Sequence, residues 1–166
     1  MKSIYIYIFI LLFIFIPYNI YSEIININSI TKSQLIGKKV YLYEDKTGKL
    51  TIDEIIDNEI YQDFYLSKWN YPGFGMSSNV YWIYFDISNN NSKDKKWFLE
   101  IGYPLLDNIK LYMPGEDKNN FIIKEAGDHY PFHKREIDHN NFIFELNTPP
   151  GKSTYYIRIK STSSLN

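Results

Sequence analysis

From residue 79 onward, apolar positions recur in short runs of strand length, and polar turns separate the runs. Val80 to Ser88, Trp97 to Gly102, Asn108 to Met113, Asn120 to Glu125, Asn141 to Leu146 and Thr154 to Ser161 are rich in β-branched and aromatic residues, which predicts strands. Between them stand Asn89-Asn90-Asn91-Ser92, Pro114-Gly115-Glu116-Asp117 and Pro149-Pro150-Gly151, residues that favour turns. Upstream, Val40 to Tyr43 predicts one more strand, and the segment from Lys46 to Lys49 a turn. Nearly every residue of Val80 to Asp86 is large and apolar, so this strand is expected in mid-sheet with both faces covered. Along Thr154 to Ile159 the two-residue period places Tyr155, Ile157 and Ile159 on one face and Tyr156 and Arg158 on the other. Trp97 to Ile101 and Ile109 to Met113, interrupted by Gly102-Tyr103-Pro104, read as a hairpin-like pair. Thr51 as N-cap with Glu54 three residues later makes a capping box, and predicts one short helix near Thr51 to Ile56. Tyr71 to Gly75, with one Pro and two Gly, reads as a loop. Strands at this spacing without alternating helices predict an all-β fold, an antiparallel jelly-roll-like sandwich.

The first 22 residues follow a different pattern. Lys2, an apolar and aromatic run from Ile4 to Ile16, Pro17, and Ile20-Tyr21-Ser22 with a small residue last have the layout of a secretory signal peptide, with cleavage expected after Ser22. An uncleaved anchor is the alternative, since Ile4 to Tyr21 approaches the length that spans a bilayer. Either way the remainder, 23–166, is expected to be exported as one domain, large enough to bury a core of its own. The chain has no Cys, so no disulfide framework supports that core. Its formal net charge is −1, with acidic and basic residues interspersed and no basic stripe, which argues against a nucleic-acid partner.

An ordered series of motifs extends from Val40 to Ser161. Val40-Tyr41-Leu42-Tyr43-Glu44-Asp45 precedes Gly48-Lys49-Leu50-Thr51-Ile52, and Phe74-Gly75 precedes Tyr81-Trp82. Leu99 to Pro104 is followed by Leu106-Asp107 and Leu111-Tyr112, and then by Gly127-Asp128, Pro131-Phe132 and Arg135; Tyr156-Ile157-Arg158 and Ser161 close the series. This series resembles the type 2 extracellular domain of bacterial seven-transmembrane receptors with diverse intracellular signalling modules. The resemblance implies a sandwich similar to carbohydrate-binding modules, displayed outside the inner membrane, that senses a ligand for seven membrane helices and a cytoplasmic output. No such helices follow the last strand in this sequence, so it is expected to be the sensor part of a receptor; a free-standing secreted or periplasmic carbohydrate-binding module is the alternative. Tyr84 stands where the family leads one to expect a basic residue.

Six residues are candidates for a small-molecule or carbohydrate ligand: Trp69, Tyr71, Tyr103, Asp107, Arg135 and Arg158. Arg135 and Arg158 are the only arginines among 18 basic residues, and a guanidinium offers a rigid fork that Lys does not. Their role is either a ligand carboxylate or an internal pair with Asp107 or Glu100. Tyr103, Trp69 and Tyr71 sit at turns and loops and offer rings for a sugar face, whereas Trp82 belongs in the core. His129, His133 and His139 lie close together, yet Pro131 breaks helical ligand spacing and no Cys assists, so no metal and no cofactor is expected. Glu100 and Asp107 would serve as a glycosidase pair only if an acidic cleft joined them. No nucleophile elbow or phosphate loop occurs, and the domain is read as non-catalytic.

Overall fold

A computed structural model describes residues 23–165 except 57, 94, 117–119 and 163; the expected signal peptide lies outside the described residues. Its strands are β1 (Ile24–Asn26), β2 (Tyr41–Asp45), β3 (Tyr65–Leu66), β4 (Gly75–Met76), β5 (Val80–Asn89), β6 (Lys95–Ile101), β7 (Asn108–Pro114), β8 (Phe121–Ala126), β9 (Phe142–Thr148), β10 (Gly151–Lys160) and β11 (Ser164–Leu165). Two short helices, α1 (Ile52–Ile56) and α2 (Asn58–Tyr61), lie between β2 and β3.

The expected capping box starts α1: the Glu54 carboxylate accepts the Thr51 N–H at 2.8 Å, and Thr51 Oγ1 accepts the Glu54 N–H at 3.4 Å. The second helix, α2, was not anticipated from the sequence. Ile55, Ile52, Ile56 and Ile60 fix both helices to the sheet by their apolar side chains.

Seven strands form one sheet in the order β3-β2-β5-β10-β7-β8, with β1 running parallel to the second half of β5 beyond the end of β2. All other pairings are antiparallel, and β5 and β10 are in register over their whole length, from Gly151 opposite Asn89 to Lys160 opposite Val80. Among the described residues, strands β6 and β9 pair only with each other and form a two-stranded second layer. β4 and β11 form a small separate ribbon.

Alternation along the strands sorts the side chains between two cores. Tyr81, Ile83, Phe85 and Ile87 of β5, Tyr155, Ile157 and Ile159 of β10, and Ile109 and Leu111 of β7 meet Leu99, Phe142, Phe144 and Leu146 of the β6–β9 layer. On the opposite face Trp82, Tyr84, Tyr112 and Tyr156 pack under Ile55 and Phe64, so β5 is covered on both sides as its unbroken apolar run predicts. Tyr84 is part of that second core, stacked between Tyr41 at 4.6 Å and Tyr61 at 4.7 Å, which accounts for an aromatic residue where a basic one was expected.

The hairpin-like pairing of Trp97 to Ile101 with Ile109 to Met113 does not form. β6 pairs with β9, and β7 pairs with β10 and β8, because residues 102–107 carry the chain from one layer to the other. Both runs have an apolar inner face, and each contributes it to the core between the two layers.

Candidate functional site

A second layer of two strands covers only part of a seven-stranded sheet. β9 lies toward β8, where Lys124 of β8 donates to the Glu145 carbonyl of β9 at 2.8 Å. Beside β6 lies a cleft of about 1150 Å³, lined at its base by Ile83, Phe85, Ile87, Ile157 and Ile159, each less than a tenth exposed. Trp97, Leu99 and Ile101 of β6, with Tyr103 and Leu106 just beyond, form one wall. Residues 30–37 and the loop through Asn70, Tyr71, Pro72 and Phe74 form the other. These two loops meet at Gly37: a Cβ there would lie 2.0 Å from the Asn70 carbonyl oxygen, so only glycine permits this close approach. Phe74 stacks on Tyr81 at 3.9 Å and anchors the loop to the sheet.

The chemistry of the cleft is one-sided. Every floor residue is apolar and buried. Of the polar lining residues, Thr31, Lys32, Ser33, Gln34, Asn70, Lys96 and Glu100 are exposed, at the rim, and Asn141 is half-buried. Two of the charges are already engaged: Lys96 bonds Glu145 at 2.6 Å, and Glu100 accepts Asn141 Nδ2 at 2.6 Å.

Tyr103 and Tyr71 line this cleft, Tyr103 half-buried against the core and Tyr71 77% exposed. Trp69, 70% exposed, stands on the same loop, beside the Gly37 contact. The other three candidates lie elsewhere. Asp107 is buried, and its Oδ2 accepts the Thr162 N–H at 2.6 Å and the Thr162 hydroxyl at 2.7 Å. Those bonds hold its carboxyl below the usual carboxylate range, and His129 Nε2 at 3.7 Å from Oδ1 adds to the effect. Arg158 projects from the face of β10 opposite the cleft floor; its Nη2 donates to the Gly48 carbonyl at 3.1 Å, and its guanidinium lies 5.9 Å from the Trp82 ring.

Arg135 sits between the rings of Phe132 and Phe142, at 4.7 and 4.6 Å, while Nη1 donates to the carbonyls of His139 and Asn140 at 2.7 and 2.6 Å. It borders a separate pocket of about 230 Å³, below the range of roughly 300–1,000 Å³ usual for ligand sites. The internal pair expected of the two arginines with Asp107 or Glu100 is not found among the described residues; carbonyl oxygens and aromatic rings take that place. Arg135→Lys keeps the charge but loses the planar stack, and is expected to lower stability by about 1–2 kcal/mol in urea unfolding. A loss under a few tenths of a kcal/mol would contradict that role.

The histidines do not converge: His139 Nδ1 accepts the Asn141 N–H at 3.1 Å, and no group of His, Asp and Glu among the described residues is arranged to hold a metal. Glu100 and Asp107 have separate partners, Asn141 for the one and Thr162 for the other. Among the described residues no helix is long and apolar enough to cross a membrane.

The strand period places Ile157 and Ile159 on one face, but nothing in the sequence marks them, the other floor residues or the 30–37 wall as lining a cleft, because an inward apolar residue reads the same whether it faces another side chain or a cleft. A family model described as 7TMR-DISM extracellular 2 matches residues 37–166. No curated protein matches the chain significantly.

Proposed function

The chain belongs to the 7TMR-DISM extracellular 2 family, the extracellular sensor domains of seven-transmembrane receptors, and from that premise we propose that it is a non-catalytic, exported ligand-sensing domain of a bacterial receptor whose ligand, a small molecule, enters the cleft beside β6. The observation that carries this reading is the cleft itself: a concave, mostly apolar space between two layers, somewhat above the roughly 300–1,000 Å³ usual for ligand sites, with Tyr71 and Tyr103 on its walls. Asp107, Arg135 and Arg158 serve the scaffold in this reading, each engaged with protein groups away from the cleft. A ligand signals only if it prefers one conformation of the receptor. The cleft offers a means, because its walls are loops on one side and a strand layer on the other, and a ligand between them touches both.

A second reading, a carbohydrate-binding module, is favoured by the exposure of Trp69 and Tyr71 on one loop, where a sugar ring can stack. Melting of the purified protein against saccharides and organic acids separates the two. A ligand at about 100 times its Kd stabilises by about 2.7 kcal/mol, a readily measured rise in Tm. The cleft reading expects the rise to vanish in Tyr103→Ala; the rim reading expects it to vanish in Trp69→Ala and Tyr71→Ala and to survive in Tyr103→Ala. A rise untouched by all three substitutions would sink both.

A further inference from the structure

The two edges of the β6–β9 layer are treated differently. On β9 the outward N–H of Glu145 donates to Glu136 Oε2 at 3.2 Å, and its carbonyl accepts Lys124 Nζ, so side chains close that edge. In an antiparallel pair, directly opposed residues point their N–H and C=O groups either toward each other or both outward. Phe98 is opposite Glu145, whose groups point outward, so the N–H and C=O of Phe98 point away from β9 as well. By the two-residue period those of Lys96 and Glu100 do the same. No backbone hydrogen bond among the described residues reaches these groups from the open side, and all three residues line the cleft.

Among the described residues, an unpaired strand edge therefore runs along a largely apolar trough. We propose that the ligand is a free oligopeptide of about seven residues, bound as a third strand beside β6 with alternate apolar side chains turned toward the apolar base of the cleft at Ile83 and Ile157; this rests on the reading of the cleft as the ligand site. β6 spans seven residues, Lys95–Ile101, a length of about 23 Å. Backbone bonding along the edge supplies affinity, and the trough selects every second side chain. A sugar would turn hydroxyls toward a floor that offers no hydrogen-bonding side chain, and would leave them unpaired. Residues 30–36 line the side opposite β6 and bound the trough there. The charge pattern narrows the ligand further: Lys96 and Glu100 have partners, while Lys32 has no ion pair among the described residues and faces the same cleft. A carboxylate on the peptide, on the side of the 30–36 segment, complements it.

The test is isoleucine-methyl NMR and calorimetry of the protein with a pool of capped heptapeptides, carrying Val, Ile, Leu or Phe at alternate positions and Ser, Thr or Glu between them, with maltose and cellobiose as comparators. Binding by members of the pool is expected, with shifts at the Ile83 and Ile157 methyls. N-methylation of one alternate set of peptide amides should weaken a hit at least tenfold, and methylation of the other set should leave it within about twofold. Phe98→Pro, which removes one outward N–H without touching the β9 ladder, should reproduce the tenfold loss. Equal tolerance of both methylation sets would overturn strand pairing even if Phe98→Pro fails to fold. Sugars that shift the same methyls while no peptide does would overturn the peptide class and leave the cleft as the ligand site. Silence from peptides and sugars alike at those methyls would overturn the peptide class and remove the support for the cleft.

Discussion

Asp45→Ala should lower the stability of the domain by about 3 kcal/mol, because this buried carboxylate organises a whole turn. Oδ1 accepts the Thr47 N–H at 2.9 Å, the Thr47 hydroxyl at 2.6 Å and the Gly48 N–H at 2.9 Å, and Oδ2 accepts the Leu50 N–H at 3.0 Å. Alanine leaves four donors without that acceptor, at about 1 kcal/mol each where water does not replace it. The damage extends beyond the turn, since Gly48, at φ +65°, presents its carbonyl to Arg158, which in turn lies near Trp82. Denaturant unfolding measures the loss, and one below about 1 kcal/mol would contradict the role assigned to the turn. Burial alone would raise the Asp45 pKa, but the bonds from Thr47, Leu50 and Gly48 outweigh it and hold the carboxyl below its ordinary value. A carboxylate whose pKa is depressed by folding contributes its full stability above the unfolded value of about 3.9, and that contribution fades as the pH falls through the lower native value. The gap between the native protein and Asp45→Ala should therefore be constant near neutrality and narrow only below about pH 4. A gap that closes between pH 7 and 5 would show that another group is responsible.

The second expected result concerns the end of the sheet. Asp107→Ala removes two short bonds to Thr162 and should cost about 2–3 kcal/mol, with the amide of Thr162 losing its protection from hydrogen exchange. Asp107 follows Leu106, which lines the cleft, while β11, just after Thr162, pairs with β4, which directly follows the cleft-wall residue Phe74. The chain leaving β10 is thus held at two corners that also shape the cleft, and the amides of Gly75 and Leu165 should lose protection along with Thr162. Unchanged exchange at Thr162 would rule out the clasp, whatever happened to global stability. The Asp107 carboxyl, like that of Asp45, is held below its usual range, so this contribution too is present above about pH 4 and lost in stronger acid.

Much of this was legible before any coordinates. The strands from Val80 to Lys160 follow the predicted runs to within a few residues, because alternation and β-branched composition are local properties that the pleat reads directly. The capping box formed because its two bonds join residues three apart. The assignment of Tyr155, Ile157 and Ile159 to one core and Tyr156 to the other follows from the same period, as does the burial of Trp82. Strands β1, β3, β4 and β11 were not legible: each has two or three residues and exists only because a partner strand is there to pair with.

The same distinction divides the site. The aromatic residues of its walls, Tyr71 and Tyr103 beside glycine and proline, could be read from the turns in which those residues stand. Asp107, Arg135 and Arg158 were conspicuous by residue type, and only folding brought them Thr162, Phe142 and Gly48, partners distant in sequence for Asp107 and Arg158. The sequence by itself determined which residues turn inward, since that depends on a period of two along each strand. Only the tertiary structure decided that β6 pairs with β9 and not with β7, that among the described residues the second layer has two strands, and that a cleft lies beside it. Those are facts of how strands far apart in the chain are laid over one another, and an apolar side chain carries no local mark of whether the space it faces is filled.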